Sequence, residues 1–310
     1  MLSDQRIKAR VIADFGAAYL VDDGILSRRA AARRCDPTVG DWVIVDGPLI
    51  TEVLPRHTVF SRRAAGSQTR EQVLAANVDV VFVVATATDV NVRRIERYLT
   101  IAWQSGAMPV VVITKADLAG AVDHLQVATP VIVTSSVTGE GIEAIAHELE
   151  PAKTGVLLGP SGAGKSTLIN ALVGAELMPT REIHRSGEGR HMTSHRQLIR
   201  LPNGGMIIDT PGLREAQLWE GEDALAGVFE DIELLALQCR FSDCSHDTEP
   251  GCAIKAALAA GTLDPGRLQS YRKLRRELRQ VAANTDWRIR DEERRKWKQI
   301  STSLRTKPRH

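Results

Sequence analysis

Apolar positions change their period twice along this chain, and the changes divide it into three regions. Up to residue 64, short β-prone runs at 7–12, 19–21, 42–45 and 49–54 alternate with polar turns, the spacing of a small all-β unit. Asp22-Asp23-Gly24 and Asp46-Gly47 are hairpin-type turn signals. From about residue 77 the runs lengthen and separate. Residues 78–85 read as a buried strand, 93–104 as an amphipathic helix and 110–114 as a second strand. Further strands are expected at 130–134, 155–158, 197–201 and 206–208, with a helix at 166–172. Strands alternating with helices predict a doubly wound sheet that holds its ligand at the carboxyl ends of the strands. After residue 212 the sheet pattern stops and helical, basic sequence begins.

The expected architecture is a multidomain α/β protein. Residues 1–64 suit a five-stranded barrel of the oligonucleotide-binding type, 65–215 the doubly wound domain, and 216–310 a mainly helical domain ending in a basic tail. In the barrel Phe15, Tyr19 and Trp42 are candidates for stacking on bases, with at least two of them expected in the core.

Composition narrows the setting. Of 310 residues, 43% are apolar and 25% charged, ordinary for a globular protein. The longest apolar run, 78–87, is broken by Asp79 and falls short of the ~20 residues that span a bilayer. No basic-then-apolar signal opens the sequence, so a cytoplasmic protein without a membrane partner is expected. The net charge of +2 hides an asymmetry: residues 266–310 hold 15 Lys/Arg against 5 Asp/Glu, a net +10, which leaves 25 against 33, or −8, for the rest. A basic block of this kind is the electrostatic footprint of nucleic-acid binding, although solvated helix exteriors can carry one too.

The densest chemical signal is Gly159, Pro160, Ser161, Gly162, Ala163, Gly164, Lys165, Ser166 and Thr167, a full match to the G-x-x-x-x-G-K-[ST] phosphate loop. Its glycines let successive backbone N–H groups turn toward a phosphate, Lys165 can reach the terminal phosphates, and Ser166 can ligate Mg²⁺. A strand before the loop and a helix after it argue against a chance glycine turn.

Three further signals follow apolar runs. Thr114-Lys115-Ala116-Asp117 resembles the Asn-Lys-x-Asp guanine-reading motif of GTPases. A carboxylate at Asp117 accepts from N1–H and the exocyclic amine of guanine, and adenine would leave it unpaired. Lys115 can lay its aliphatic stem on the base. Thr114 stands where Asn is usual, a change of the order of 1 kcal/mol if one hydrogen bond is lost. Ser135 and Ser136, followed by Thr138-Gly139-Glu140-Gly141, occupy the place of a loop that touches the guanine carbonyl. Asp209-Thr210-Pro211-Gly212 is the third, with Asp209 holding the Mg²⁺ water shell and the Gly212 amide able to meet a γ-phosphate. The guanine-reading signals precede the phosphate loop, the reverse of the usual order, which a cut and rejoining of one sheet explains. The polar stretch 179–196 reads as the first switch loop.

Cys239, Cys244, His246 and Cys252 supply three thiolates and an imidazole within 14 residues, enough to close a tetrahedral, structural Zn²⁺ site in a reducing compartment. Cys35 stands apart and reads as an ordinary core or surface thiol.

With these pieces in this order, the sequence resembles the circularly permuted, small-subunit ribosome biogenesis GTPases of the RsgA (YjeQ/YloQ) type over nearly its whole length. Gly40-Asp-Trp-Val-Ile-Val45, Glu52-Val-Leu-Pro-Arg56, Ala76-Asn-Val-Asp79, Gly189-Arg-His191 and Asp209-Thr-Pro-Gly-Leu-Arg-Glu215 belong to the same set. The resemblance implies an RNA-binding barrel, a permuted GTPase domain, a zinc domain, and GTP hydrolysis with Mg²⁺ in late maturation of the 30S subunit on 16S rRNA. The family's Gly-Arg-His-Thr-Thr-Thr motif maps onto residues 189–194, with Met192 and Ser194 replacing two threonines. Thr193 is then the switch ligand of Mg²⁺ and γ-phosphate. Leu213 occupies the place of the water-orienting Gln of Ras-like enzymes, and the resemblance suggests His191 instead, beside Lys165 and Gly212. The expected protein is a monomeric GTP hydrolase, released from the subunit on hydrolysis. Rival readings are an RNA-binding checkpoint module with incidental turnover and an ATP-using kinase, which Asp117 opposes.

Overall fold

The structure, a computed structural model, describes residues 6–16, 18–63, 71–119, 125, 127–150, 152–176, 196–209, 223–242, 244–247 and 249–285. The chain divides into two compact units, Met1–Gln217 and Leu218–His310.

The first unit opens with β1 (Ile7–Asp14), β2 (Tyr19–Asp22), β3 (Ser27–Ala32), β4 (Trp42–Asp46) and β5 (Leu49–Val53). Pairing runs β1-β2-β3-β5-β4 and returns to β1, antiparallel except for β3 with β5, so the sheet closes into the expected five-stranded barrel and leaves no free edge in that ring. Alternate residues fill it: Ala9 and Val11, Tyr19 and Val21, Val43 and Val45, with Ala30 and Ile50. Strand β3 has no apolar alternation in its Ser-Arg-Arg-Ala-Ala-Ala sequence. It is a strand because the closing ring needs one there, with Ala30 as its inward residue. Asp41 is fully buried and paired by both its oxygens with Arg56 at 2.7 Å, a geometry that locks the barrel's exit. Of the three aromatics, Tyr19 is in the core. Trp42 is half-buried against Lys8 and Arg10. Phe15 is exposed beside Arg29.

A hairpin of β6 (Val59–Arg63) and β7 (Glu71–Ala76) follows. Its strands lie on either side of the 64/65 border. The alternating region then supplies β8 (Val80–Thr86), α1 (Val92–Ser105), β9 (Met108–Thr114), β10 (Val131–Val133), α2 (Ile142–His147), β11 (Thr154–Leu158), α3 (Lys165–Val173), β12 (Arg196–Arg200) and β13 (Met206–Asp209). Helix α1 starts where the Asn91 side chain accepts from the Arg94 amide and ends at Gly106 in the left-handed region. The strand order is β10-β9-β8-β11-β13-β12, parallel but for β12. The central strands β8, β9 and β11 are nearly continuous in apolar residues because both faces are covered: α1 lies on β8 and β9, while Val80, Phe82 and Val84 pack with Ile145, Leu168, Ile169 and Leu172 on the other face.

Barrel and doubly wound sheet are joined without a break. The last residues of β1 pair antiparallel with β12, Ala13 opposite Gln197 and Asp14 opposite Arg196, so all eleven strands form one sheet. At the seam Arg10 is buried and donates to the carbonyls of Asn77 at 3.0 Å and Gly40 at 3.3 Å. Burial lowers its pKa to about 10, still protonated at neutral pH. Gly40 has φ +94°, and a Cβ there would lie 2.1 Å from the carbonyl oxygen of Ala76, so only glycine fits.

The second unit contains α4 (Asp223–Ala226), α5 (Glu230–Ala236), α6 (Ala253–Ala259) and α7 (Pro265–Thr285). Phe229 meets Tyr271 edge-on at 5.5 Å, and Arg267 pairs with Asp231 through two hydrogen bonds. Among the described residues no helix is long and apolar enough to cross a membrane.

Candidate functional site

Strands β8, β9 and β10 succeed one another toward one edge, whereas β11 returns beside β8 and the chain continues toward the other edge. The direction of winding therefore reverses between β8 and β11, where the carboxyl ends open a crevice. The phosphate loop leaves β11 at that point. Gly162 and Gly164 take φ of +80° and +85°, conformations that suit glycine. A Cβ on Gly159 would lie 2.4 Å from the Val84 carbonyl oxygen, so the loop can cross β8 only at a residue without a side chain. Gly164 starts α3, whose first-turn amides have no helical partners and form an anion cradle. Lys165 Nζ donates to the carbonyls of Gly159 at 2.8 Å and Pro160 at 2.6 Å. Ser166 is half-buried and Thr167 exposed on the same turn.

The end of β9 brings the guanine-type tetrad against this loop. Thr114 Oγ1 is buried, 2.7 Å from the carbonyl oxygen of Ala163 and 3.2 Å from that of Ala85. Lys115 is left-handed at φ +60° and donates from Nζ to the Gly162 carbonyl at 3.0 Å, so its aliphatic stem runs along the crevice. Asp117 Oδ1 accepts a 2.5 Å hydrogen bond from the hydroxyl of buried Ser135. That hydroxyl oxygen in turn accepts from the amides of Val137 and Thr138 at 3.2 Å. Ser136 is half-buried beside it. Asp209 ends β13, half-buried and opposite Gln197. The structure thus gathers Thr114, Lys115, Asp117, Ser135, Ser136, Asp209 and the loop from Gly159 to Thr167 at one end of one sheet. Gly212, His191 and Thr193 lie outside the described residues.

In the second unit the ligand atoms of Cys239, Cys244, His246 and Cys252 all lie within 4.8 Å of one another. Cys239 Sγ is 3.9 Å from Cys252 Sγ, and each of these sulfurs is 3.6 Å from His246 Nδ1. A tetrahedral ion bonded at about 2.3 Å to sulfur and about 2.0 Å to nitrogen separates its ligands by about 3.8 Å (S to S) and about 3.5 Å (S to N), so Cys239, Cys252 and His246 fit such an ion, with Cys244 within reach as the fourth ligand. Burial opposes ionisation of Cys239, but the amides of Ala253 and Ile254 and the neighbouring thiols outweigh it and lower its pKa. Burial, with Arg275 and Arg272, lowers the pKa of His246 and favours the neutral ring that a metal ligand must be. Gly251, at φ +73°, and the Arg240 amide donating to its carbonyl bring Cys252 back to Cys239. Cys35, half-buried in the barrel with Sγ 3.7 Å from the Ile50 carbonyl oxygen, takes no part.

The family described as RsgA GTPase matches residues 53–219, more than half of the chain. The chain belongs to the RsgA GTPase family. The small ribosomal subunit biogenesis GTPase RsgA of Opitutus terrae is 47% identical over 92% of this chain and 84% of its own. That of Streptomyces avermitilis is 48% identical over 84% and 74%. Among solved structures, YjeQ from Thermotoga maritima superposes with a TM-score of 0.65 at 26% identity, over 88% of this chain and 99% of that one. YloQ, a circularly permuted GTPase, shares the fold at a TM-score of 0.63, with 22% identity over 90% and 98%. As an RsgA GTPase the chain carries its guanine-type tetrad at the end of β9, ahead of the phosphate loop after β11, yet the strand order of the sheet sets them side by side. Sequence reasoning missed the seam residues Arg10 and Arg196. Arg10 sits at a position whose strand period reads as outward and solvated, and Arg196 falls at the end of the stretch 179–196 that the sequence gives to a loop.

Proposed function

We propose that this protein is a GTP hydrolase acting in late maturation of the small ribosomal subunit, binding the 30S particle through 16S rRNA and leaving on hydrolysis. The observation that carries the reading is the meeting of Thr114 and Lys115 with the phosphate loop, beside the Asp117–Ser135 pair, at the switch point of the sheet, in a chain of the RsgA GTPase family. The division of labour is a barrel at 1–64, a permuted GTPase domain at 65–215 and a metal-binding helical domain at 216–310.

The loop amides from Gly159 to Thr167 and Lys165 hold the phosphates. Asp117 reads the guanine N1–H and amine, Ser135 holds that carboxylate and Ser136 stands beside the base. Ser166, Thr193 and, through water, Asp209 hold Mg²⁺, which screens the phosphate charge that builds during transfer. His191 acts on the attacking water and Gly212 meets the γ-phosphate. The Cys₃His group holds one structural Zn²⁺, since all four positions of a tetrahedron are filled by protein. The protein works as a cytoplasmic monomer.

GTP turnover measured with and without purified 30S subunits tests partner and reaction together. Marked stimulation is expected, and ATP should not compete. Absence of GTP hydrolysis in both conditions, or equal use of ATP, overturns the reading.

A further inference from the structure

Strand β12 touches both ends of the proposed cycle. Its second residue, Gln197, stands opposite Asp209 on β13 and opposite Ala13 on β1 of the barrel. One residue earlier, Arg196 faces Asp14, the last residue of β1, with 3.8 Å between Nη1 and Oδ2 and both side chains about four-fifths covered (18% and 19% exposed). The same Nη1 donates to the Val73 carbonyl of β7 at 3.2 Å. Arg196, read from sequence as the end of the first switch loop, is therefore the first residue of a strand clamped to the barrel. The ladder is only two residue pairs long. So short a ladder is held by its flanking side-chain contacts as much as by its backbone.

We infer that the Arg196–Asp14 clamp is the element through which nucleotide state and 30S binding are coupled. It rests on the nucleotide and 30S reading above. A shift at Asp209 when nucleotide is bound reaches Arg196 through the neighbouring Gln197 pair, and the barrel's first strand is tied to it. A partner that fixes the barrel then biases the nucleotide site, and linkage makes the effect reciprocal. The opposite end of β12 provides an internal contrast. Arg200 pairs with Asp22 of β2 at 2.9 Å, with 60% of its own side chain and 14% of Asp22's exposed, and it stands opposite Met206, three residues from Asp209. That pair also ties β12 to the barrel, but at the end of the strand away from Asp209.

The experiment measures the affinity of the full chain for a non-hydrolysable GTP analogue, alone and with saturating 30S subunits; the ratio is the coupling factor. Asp14→Asn keeps the Oδ1 acceptor that the Gly16 amide uses at 2.8 Å and removes only the charge, so the turn should persist. Asp14→Asn and Arg196→Gln should each lower the coupling factor at least ~threefold, with analogue affinity in the absence of 30S within about twofold of wild type. The exchange Asp14→Arg with Arg196→Asp should recover part of it, and Asp22→Asn should leave it unchanged. An unchanged factor in Asp14→Asn, an equal loss in Asp22→Asn, or a wild-type factor of one with both ligands bound overturns the inference. Failure of the wild-type chain to bind analogue or 30S instead overturns the reading beneath it, and the inference falls with it.

Discussion

The hydroxyl of Thr114 lies 2.7 Å from the carbonyl oxygen of Ala163 and fastens the base-reading loop to the phosphate loop. Thr114 stands where the GTPase motif usually has Asn, and the substitution is no simple loss: its short hydroxyl reaches the phosphate loop at the Ala163 carbonyl. Thr114→Val should destabilise the protein by about 1–2 kcal/mol and weaken GTP binding, since it removes the buried donor that serves the Ala163 carbonyl. Thr114→Ser should retain both properties. Urea denaturation and nucleotide titration of the two variants check this; equal behaviour of Val and Ser would show that the hydroxyl fastens nothing.

Asp117→Asn should lower GTP affinity and raise affinity for xanthosine triphosphate, whose added carbonyl prefers an amide donor. The side-chain oxygen that accepts from Ser135 persists in Asn, so the loop keeps its shape. Competition titrations with the two nucleotides report the change, and an unaltered preference would place the base elsewhere.

His191→Ala should lower 30S-stimulated turnover by about 10²-fold or more with little change in GTP affinity, as expected of a group that acts mainly in the transition state. Single-turnover hydrolysis decides it. Wild-type rates in the variant would return His191 to an ordinary loop residue.

Chelation of zinc, or Cys244→Ala, should unfold the region around α5, α6 and α7 and leave GTP binding largely intact. Metal binding stabilises only the unit that it closes, and the ligands all belong to the second compact unit. Metal content, helical circular dichroism and GTP affinity measured together test the point. Loss of GTP affinity with the GTPase domain still folded would contradict the division.

Deletion from Arg288 onward removes nine of the 15 Lys/Arg in the basic segment. With fewer phosphates neutralised, fewer counterions are released on binding, and the salt dependence of affinity should flatten. Weaker 30S binding with a shallower salt slope is expected, with basal GTP binding preserved. A slope equal to that of the intact chain would assign the rRNA contacts to the barrel.

The phosphate loop, the strands that lead into it, the guanine-type tetrad and the Cys₃His set were legible in the sequence because each depends on local order. A glycine spacing, a buried apolar run and a ligand interval have the same meaning wherever the segment is placed. The helix at 166–172 and the strand at 110–114 likewise needed only their own period and flanks. Tertiary structure decided what local order cannot express. Strand β3 buries little and becomes a strand only because the ring closes through it. Arg10 reads as solvated because a period of two reports which residues share a face, and not what another part of the chain will lay over that face. The permuted order is the clearest case: the site forms although its parts are rearranged along the chain, because strand neighbours in the sheet, rather than neighbours in sequence, set which loops meet.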